Sequence, residues 1–263
     1  MTEPRGAGGT ATTVPAPHGP LAADDGGEGG PPVLFLHSLA GTRRHWTEQL
    51  ERLRPGRRAT ALDLPGHGGS CGLPGGSGRP GELGGEVISA ARELYPGRFV
   101  LVGHSFGAGA AMAAAGREPD RVAGLLLVDP VGDHRDEREE IRAFVERLRS
   151  EDGPAAAEDF WEEILAGSRA GTRSRVLADL RSTPADTVIR CMEALCEFDP
   201  AAAMDHYGGP ALVVFNPRFE QRSSLHRVMP GLPRVELGDA GHWVQMDRPD
   251  RFHRILRDFL GRL

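Results

Sequence analysis

Ser105 lies in the stretch "LVGHSFGAGAA", Leu101 to Ala111, with one glycine two residues before it and another two after. An apolar run precedes it and small residues follow. A G-x-S-x-G pattern between a strand and a helix sets its serine on a sharp turn, with Oγ raised above the sheet edge. Glycines at 103 and 107 remove side chains that would strike the neighbouring strand and helix. Ala108, Gly109 and Ala110 let the helix lie close to the sheet. The helix also directs its first amides at the serine, where negative charge would develop. In a chain with 36 glycines the five residues alone are a weak signal. Their place at a strand-to-helix junction makes the signal strong, and the competing account is a structural serine in a tight turn.

A serine nucleophile needs a base to take its proton. Among 10 histidines, His242 stands out, in "VELGDAGHWVQMDRPDRF", after the last apolar run and before the last helix. A loop there lies at the same carboxyl edge as Ser105. The other histidines fit less well. His67, in "DLPGHGGS", sits in a turn where its ring would bond backbone. His104 adjoins Ser105 but points to the other side of its strand. His134, His206, His226 and His253 fall on helical stretches and are expected at the surface.

The elements that must position these groups alternate along the chain. Apolar runs of strand length lie at Val33–His37, Ala59–Leu64, Phe99–Gly103, Leu125–Asp129, Ala211–Asn216 and Arg234–Leu237. Helical periodicity lies between and after them, at Arg43–Arg54, Glu82–Tyr95, Phe106–Arg117 and Phe252–Leu263. Strands without polar alternation are buried on both faces. Helices between them imply right-handed crossovers in a mostly parallel sheet, an α/β fold. The first 30 residues are disordered in composition, yet their order suggests a weak edge hairpin, with Thr12–Val14 and Pro20–Ala23 joined at His18-Gly19. "GLPGGSGRPGELGG", Gly72–Gly85, reads as a flexible loop.

Between Pro130 and Pro210 no strand run occurs, only helical stretches near Arg135–Ser150, Ala155–Gly167, Arg173–Leu180 and Pro184–Glu197. This divides the chain into a core, residues 1–130 and 209–263, and an inserted helical cap, residues 131–208. Such a cap covers the carboxyl edge, where open α/β sheets bind ligands. The charged run "GDHRDEREEIR" is expected to be a solvated first cap helix.

Composition narrows the field. Hydrophobic residues make up 39% and charged residues 26%, which suits a globular domain of 263 residues with a sizeable core. The formal charge of −6 argues against a nucleic-acid or anionic-membrane partner, although the cationic side chains are overwhelmingly arginine. Three cysteines without metal spacing form no disulfide framework, and Cys191 and Cys196 do not share a helix face. No apolar run approaches the roughly 20 residues of a membrane span. "MTEPRGAGGT" has no apolar segment of signal-peptide type, so the expected location is the cytoplasm.

These motifs together resemble the α/β-hydrolase superfamily. "VLFLHSLAGTRRHW" is similar to its strand and oxyanion loop, "ALDLPGHGGS" to the next strand and turn, "LVGHSFGAGAA" to the nucleophile elbow and "AGHWVQMDRP" to the histidine loop. The resemblance spans about Pro31 to Phe259. It implies an oxyanion hole from the amides of Leu39 and Phe106. Ser38 departs from the glycine usual there; it would take the turn at some strain or add a hydroxyl to the site. The acid is the second departure. The usual aspartate after the post-cap strand is missing from "ALVVFNPRFEQRSS", where Glu220 is the nearest carboxylate. The superfamily's other place, at the end of the pre-cap strand, holds Asp129 in "LLLVDPVGD". Asp129 leads, Glu220 is the alternative, and Asp133 and Asp239 are more distant candidates. Asp129 could instead cap the first cap turn.

The expected chemistry is cleavage of a carboxylic ester through an acyl-enzyme on Ser105, with no metal and no organic cofactor. The alternatives are a carbon–carbon bond hydrolase, a lyase of the menaquinone-pathway type, and a ligand-binding protein on the same scaffold. The partner is a small-molecule ester or related acyl compound. Phe144, Phe160, Trp161 and Phe198 are the cap aromatics; packing between cap and sheet is their plainer role, substrate contact the sharper one. Trp243 is expected to pack under the histidine loop.

Overall fold

The structure is a computed structural model, and the residues it describes are 9–263; the part of "MTEPRGAGGT" before Gly9 lies outside the described residues. Eight strands form one sheet: β1 Thr10–Val14, β2 Leu21–Gly26, β3 Val33–Leu36, β4 Ala59–Leu62, β5 Phe99–His104, β6 Val122–Val128, β7 Ala211–Phe215 and β8 Arg234–Glu236. Their order is β1-β2-β4-β3-β5-β6-β7-β8. β3 to β8 run parallel, and the β1–β2 hairpin adds to β4 antiparallel. The hairpin is longer than the two apolar pieces suggest, because backbone pairing continues through exposed Thr10 and half-buried Asp24.

Every residue of β3, β4, β5 and β6 is buried, as continuous apolar strands in a parallel sheet require. β8 is an exposed edge of three residues. Helices α1 Thr47–Leu53, α2 Pro80–Leu94 and α3 Phe106–Arg117 follow β3, β4 and β5. α2 starts earlier than its apolar pattern, since Pro80 takes the first helical position, where its missing N–H costs nothing. The glycine-rich loop before it is shorter than expected for that reason.

Five helices lie between β6 and β7: α4 Arg138–Arg149, α5 Gly153–Ile164, α6 Ala170–Ser182, α7 Ala185–Leu195 and α8 Pro200–Met204. Three more complete the chain: α9 Leu225–Val228, α10 Val244–Asp247 and α11 Pro249–Leu260. Core residues fall into two clusters, one on each face of the sheet. Phe35, Trp46, Leu50, Phe252 and Leu256 belong to the face covered by α1 and α11; Leu83, Val87 and Met112 belong to the other, whose cluster continues into Trp161 of α5 and Leu180 of α6. Because β3, β5, β6, β7 and β8 are neighbours and parallel, the loops leaving their carboxyl ends meet along one edge. Ser38, Ser105, Asp129, Asn216 and His242 all follow those ends.

Candidate active site

Ser105 has φ 52° and ψ −117°, a conformation few residues other than glycine adopt. It is held by neighbours on both sides: its amide donates to Val128 O (2.9 Å), and its carbonyl accepts from Ala108 N (2.9 Å) and Val131 N (3.3 Å). The flanking glycines are required by space. A Cβ on Gly103 would lie 2.6 Å from Ala108 Cα, and one on Gly107 would run into the carbonyl oxygen of His37 on the neighbouring loop. α3 opens directly after Ser105, so the Phe106 amide is among those without an intrahelical partner.

His242 Nδ1 donates to Asp129 Oδ2 at 2.6 Å, which leaves Nε2 as the basic nitrogen of the neutral ring. Asp129 is itself at positive φ, 40°, and 9% exposed. Its second oxygen, Oδ1, accepts from Asn216 N at 3.1 Å. The other carboxylates are engaged elsewhere. Glu220 accepts from His226 Nε2 (3.0 Å) and Arg227 Nε (2.6 Å), and these bonds hold its pKa below the usual value for Glu. Asp133 binds Arg135, and Asp239 binds Arg248 and Arg251.

Ser105, His242, Asp129, Leu39, Phe106 and Glu220 all line one cavity of about 640 Å³. Its apolar wall comes largely from α4, α5 and α7, through Phe144, Phe160, Trp161, Ile164, Met192 and Leu195. The Phe144 and Phe160 rings meet at a tilt of 40°, with centroids 4.9 Å apart. Phe198 is buried away from this cavity. Glu137, Glu140 and Ile141 reach the lining too, so the charged run at the start of α4 is more than a solvated face.

Ser38 carries no strained backbone. The positive φ in its loop belongs to Ala40, 54°. The Ser38 hydroxyl, 2% exposed, accepts from Trp243 Nε1 at 3.2 Å. The hydroxyl therefore ties the oxyanion-type loop to the indole under the histidine loop. His37 donates from Nδ1 to Ser38 O (2.7 Å) and accepts at Nε2 from Leu64 N (2.9 Å), which fixes its tautomer. His67 bonds Pro65 O at 2.9 Å.

His104 is fully buried on the opposite side of β5 from Ser105 and faces Gln245. Gln245 Nε2 donates to its Nδ1 (3.2 Å), so Nε2 carries the proton and donates to His242 O (3.0 Å). Burial, reinforced by His242, drives its pKa far below the usual value and keeps the ring neutral. His226, expected at the surface, is only 8% exposed, because its ring stacks on Phe215 at 4.1 Å and bonds Glu220. His206 is exposed, and His134 pairs with Glu137 beside the cavity. Two groups escaped the sequence reading. Asn216 bonds both Asp129 and the histidine loop. Asp247 accepts from Gly241 N (2.8 Å), Ser168 Oγ (3.0 Å) and Arg169 N (3.0 Å), joining that loop to the turn between α5 and α6. Asn-Pro directly after an apolar strand was the only signal for the first, and a carboxylate five residues past the histidine for the second.

A parallel sheet with a strained serine between β5 and α3, and a histidine–carboxylate pair at the same edge, defines a class. The chain belongs to the alpha/beta hydrolase family, whose model matches residues 33–255. Among curated relatives, it is 29% identical over 255 residues to the dihydrolipoyllysine-residue acetyltransferase component of the acetoin cleaving system of Cupriavidus necator. That match takes in 89% of this chain but only 65% of the relative, so the chain spans about two thirds of its length. It is 28% identical to the mouse sn-1-specific diacylglycerol lipase ABHD11, over 88% of this chain and 81% of the relative. It is 30% identical to 2-succinyl-6-hydroxy-2,4-cyclohexadiene-1-carboxylate synthase of Salmonella schwarzengrund, over 88% and 96%. Among solved structures, an esterase from Thermogutta terrifontis superposes with a TM-score of 0.81 at 25% identity, covering 96% of this chain and 98% of its own. Esterases, lipases and related hydrolases thus recur among its relatives. Among the described residues no helix is long and apolar enough to cross a membrane.

Proposed function

We propose that the protein is a serine hydrolase that cleaves carboxylic esters through an acyl-enzyme on Ser105, with residues 131–208 as a helical cap over the site. The observation that carries this reading is the pairing of His242 Nδ1 with Asp129 Oδ2 at 2.6 Å in the cavity that Ser105 lines from its strained turn. His242 Nε2 takes the Ser105 proton as Oγ bonds to the acyl carbon. The Leu39 and Phe106 amides receive the oxyanion, each worth about 3 kcal/mol in the transition state. His242 returns the proton to the leaving alkoxide, and the alcohol departs. Water, deprotonated by the same ring, then releases the acid and regenerates Ser105. Asp129 holds the tautomer and stabilises the imidazolium.

The synthase relative favours a second reading, a lyase acting on a substrate of that kind. The name of its product describes a dicarboxylate. The lining of this cavity counts against it: Asp129, Glu137, Glu140 and Glu220 are present and no arginine or lysine is. An uncharged ester with an apolar acyl group suits that lining better, since buried anions need cationic partners.

The test is turnover of neutral p-nitrophenyl esters beside esters bearing a terminal carboxylate, with a fluorophosphonate probe for Ser105. Wild-type protein is expected to label and to prefer the neutral series. Ser105→Ala and His242→Ala are expected to abolish turnover with unchanged melting. Full activity in Ser105→Ala would refute the mechanism. Absence of both labelling and turnover in the wild type would leave a ligand-binding protein on this scaffold.

A further inference from the structure

Asn216 is buried, 1% exposed, between the two groups whose alignment decides the chemistry. Its backbone amide donates to Asp129 Oδ1 (3.1 Å), which leaves Oδ2 for His242. Its side-chain Nδ2 donates to the Ala240 carbonyl (2.7 Å) and, at longer range, to that of Gly241 (3.4 Å), the two residues before His242. Its Oδ1 accepts from Arg218 N at 3.0 Å. The amide can face only one way, because a flip would set oxygen against two carbonyls and nitrogen against an N–H. We infer that Asn216 is a positioning residue for the proposed reaction, one that fixes the separation of Asp129 and His242 by holding Asp129 and the loop that leads into His242. The inference rests on the reading of Ser105, His242 and Asp129 given above.

The residue type follows from this geometry. A carboxylate at 216 would have no proton for Ala240 O and would add a second negative charge beside Asp129. An aliphatic side chain would leave the Ala240 carbonyl and the Arg218 amide without partners. The far side of His242 is held independently by His104 at its carbonyl and by Asp247 at Gly241 N. Among the described residues, Asn216 alone bonds both Asp129 and the loop that leads into His242. Asp129 after β6 and His104 on β5 touch His242, and Glu220 and His226 after β7 share its cavity with His134, Glu137 and Glu140. A new carboxylate at 216 joins the anions of this set, and so stabilises the imidazolium.

The experiment compares wild type, Asn216→Ala, Asn216→Ser and the isosteric Asn216→Asp, using a neutral p-nitrophenyl ester across pH, with melting curves. In Asn216→Ala, kcat is expected to fall about 10- to 100-fold while KM stays within about three-fold, as for a misplaced catalytic group. Asn216→Ser keeps a donor and recovers part of that loss. In Asn216→Asp, the acid limb of kcat/KM moves up by about one pH unit. Wild-type kcat in Asn216→Ala, an unmoved acid limb in Asn216→Asp, or failure of all three variants to fold would each overturn the assignment, the last because Asn216 would then hold the fold and not the site. A wild-type chain that neither turns over esters nor labels at Ser105 is a different failure, that of the esterase reading, and the inference falls with it.

Discussion

Asp129 and Glu220 both border the cavity, yet their partners separate them. Asp129 gives one oxygen to His242 and the other to the Asn216 amide, whereas Glu220 accepts from His226 and Arg227, both at Oε1. In the proposed mechanism the carboxylate fixes the tautomer of His242, and losing such a group costs orders of magnitude in Ser-His-Asp triads. Asp129→Asn is therefore expected to lower kcat by at least about 10³-fold. Glu220→Gln should leave kcat within a few-fold of wild type. Steady-state kinetics on a p-nitrophenyl ester reads both, and the reverse ranking would move the acid to the loop after β7. The sequence ranked Asp129 ahead of Glu220 by its place at the end of the pre-cap strand; the hydrogen bonds that separate the two join segments far apart in the chain.

At the scale of elements, the turn from β5 into α3 stores strain that its neighbours sustain. Ser105 at φ 52° survives because three backbone hydrogen bonds and the β3 loop leave it no alternative. Gly107 lets α3 approach that loop, and an added methyl would press on His37 O. Gly107→Ala is expected to destabilise the protein by about 1–3 kcal/mol, as overpacking does. It should also reduce ester turnover, since the Phe106 amide moves with the helix. A variant with unchanged melting and unchanged kcat would show that the approach is looser than these distances imply. The strand and helix pattern of this turn was legible from apolar runs and glycines. The ends of the elements were not: α2 begins at Pro80, and the β1–β2 hairpin extends to Thr10 and Gly26. Capping and edge pairing set those limits, and neither leaves a periodic trace.

For the whole molecule, three buried histidines couple stability to pH. Burial holds His37 and His104 far below the usual histidine pKa, and His67 at about 4. In the unfolded chain each titrates near 6.5. Above that value both states are neutral and stability is full. As pH falls from about 6.5 towards 4, the unfolded chain takes up protons that the folded chain refuses, so stability declines. The slope reaches about 1.4 kcal/mol per pH unit for each such histidine. Melting temperature should thus drop steeply between pH 6.5 and 4, and less steeply in His67→Gln. A flat profile across that window would mean that these rings are hydrated in the folded state.

Legible in the sequence was the local part: the Gly-Ser-Gly turn after a strand, the histidine loop after the last strand, the order of Ser105 and His242 along the chain, and the helical insert before Pro210. Each follows from periodicity, glycine placement or neighbouring residues, which are properties of short segments. Tertiary structure alone decided that Asp129 partners His242, that Ser38 answers Trp243 with its hydroxyl while Ala40 carries the positive φ, and that His226 is buried against Phe215. It also brought Asn216 between Asp129 and the loop that leads into His242. Those outcomes turn on distances of about 3 Å between residues many positions apart, and such distances exist only once the sheet has set its strand ends side by side.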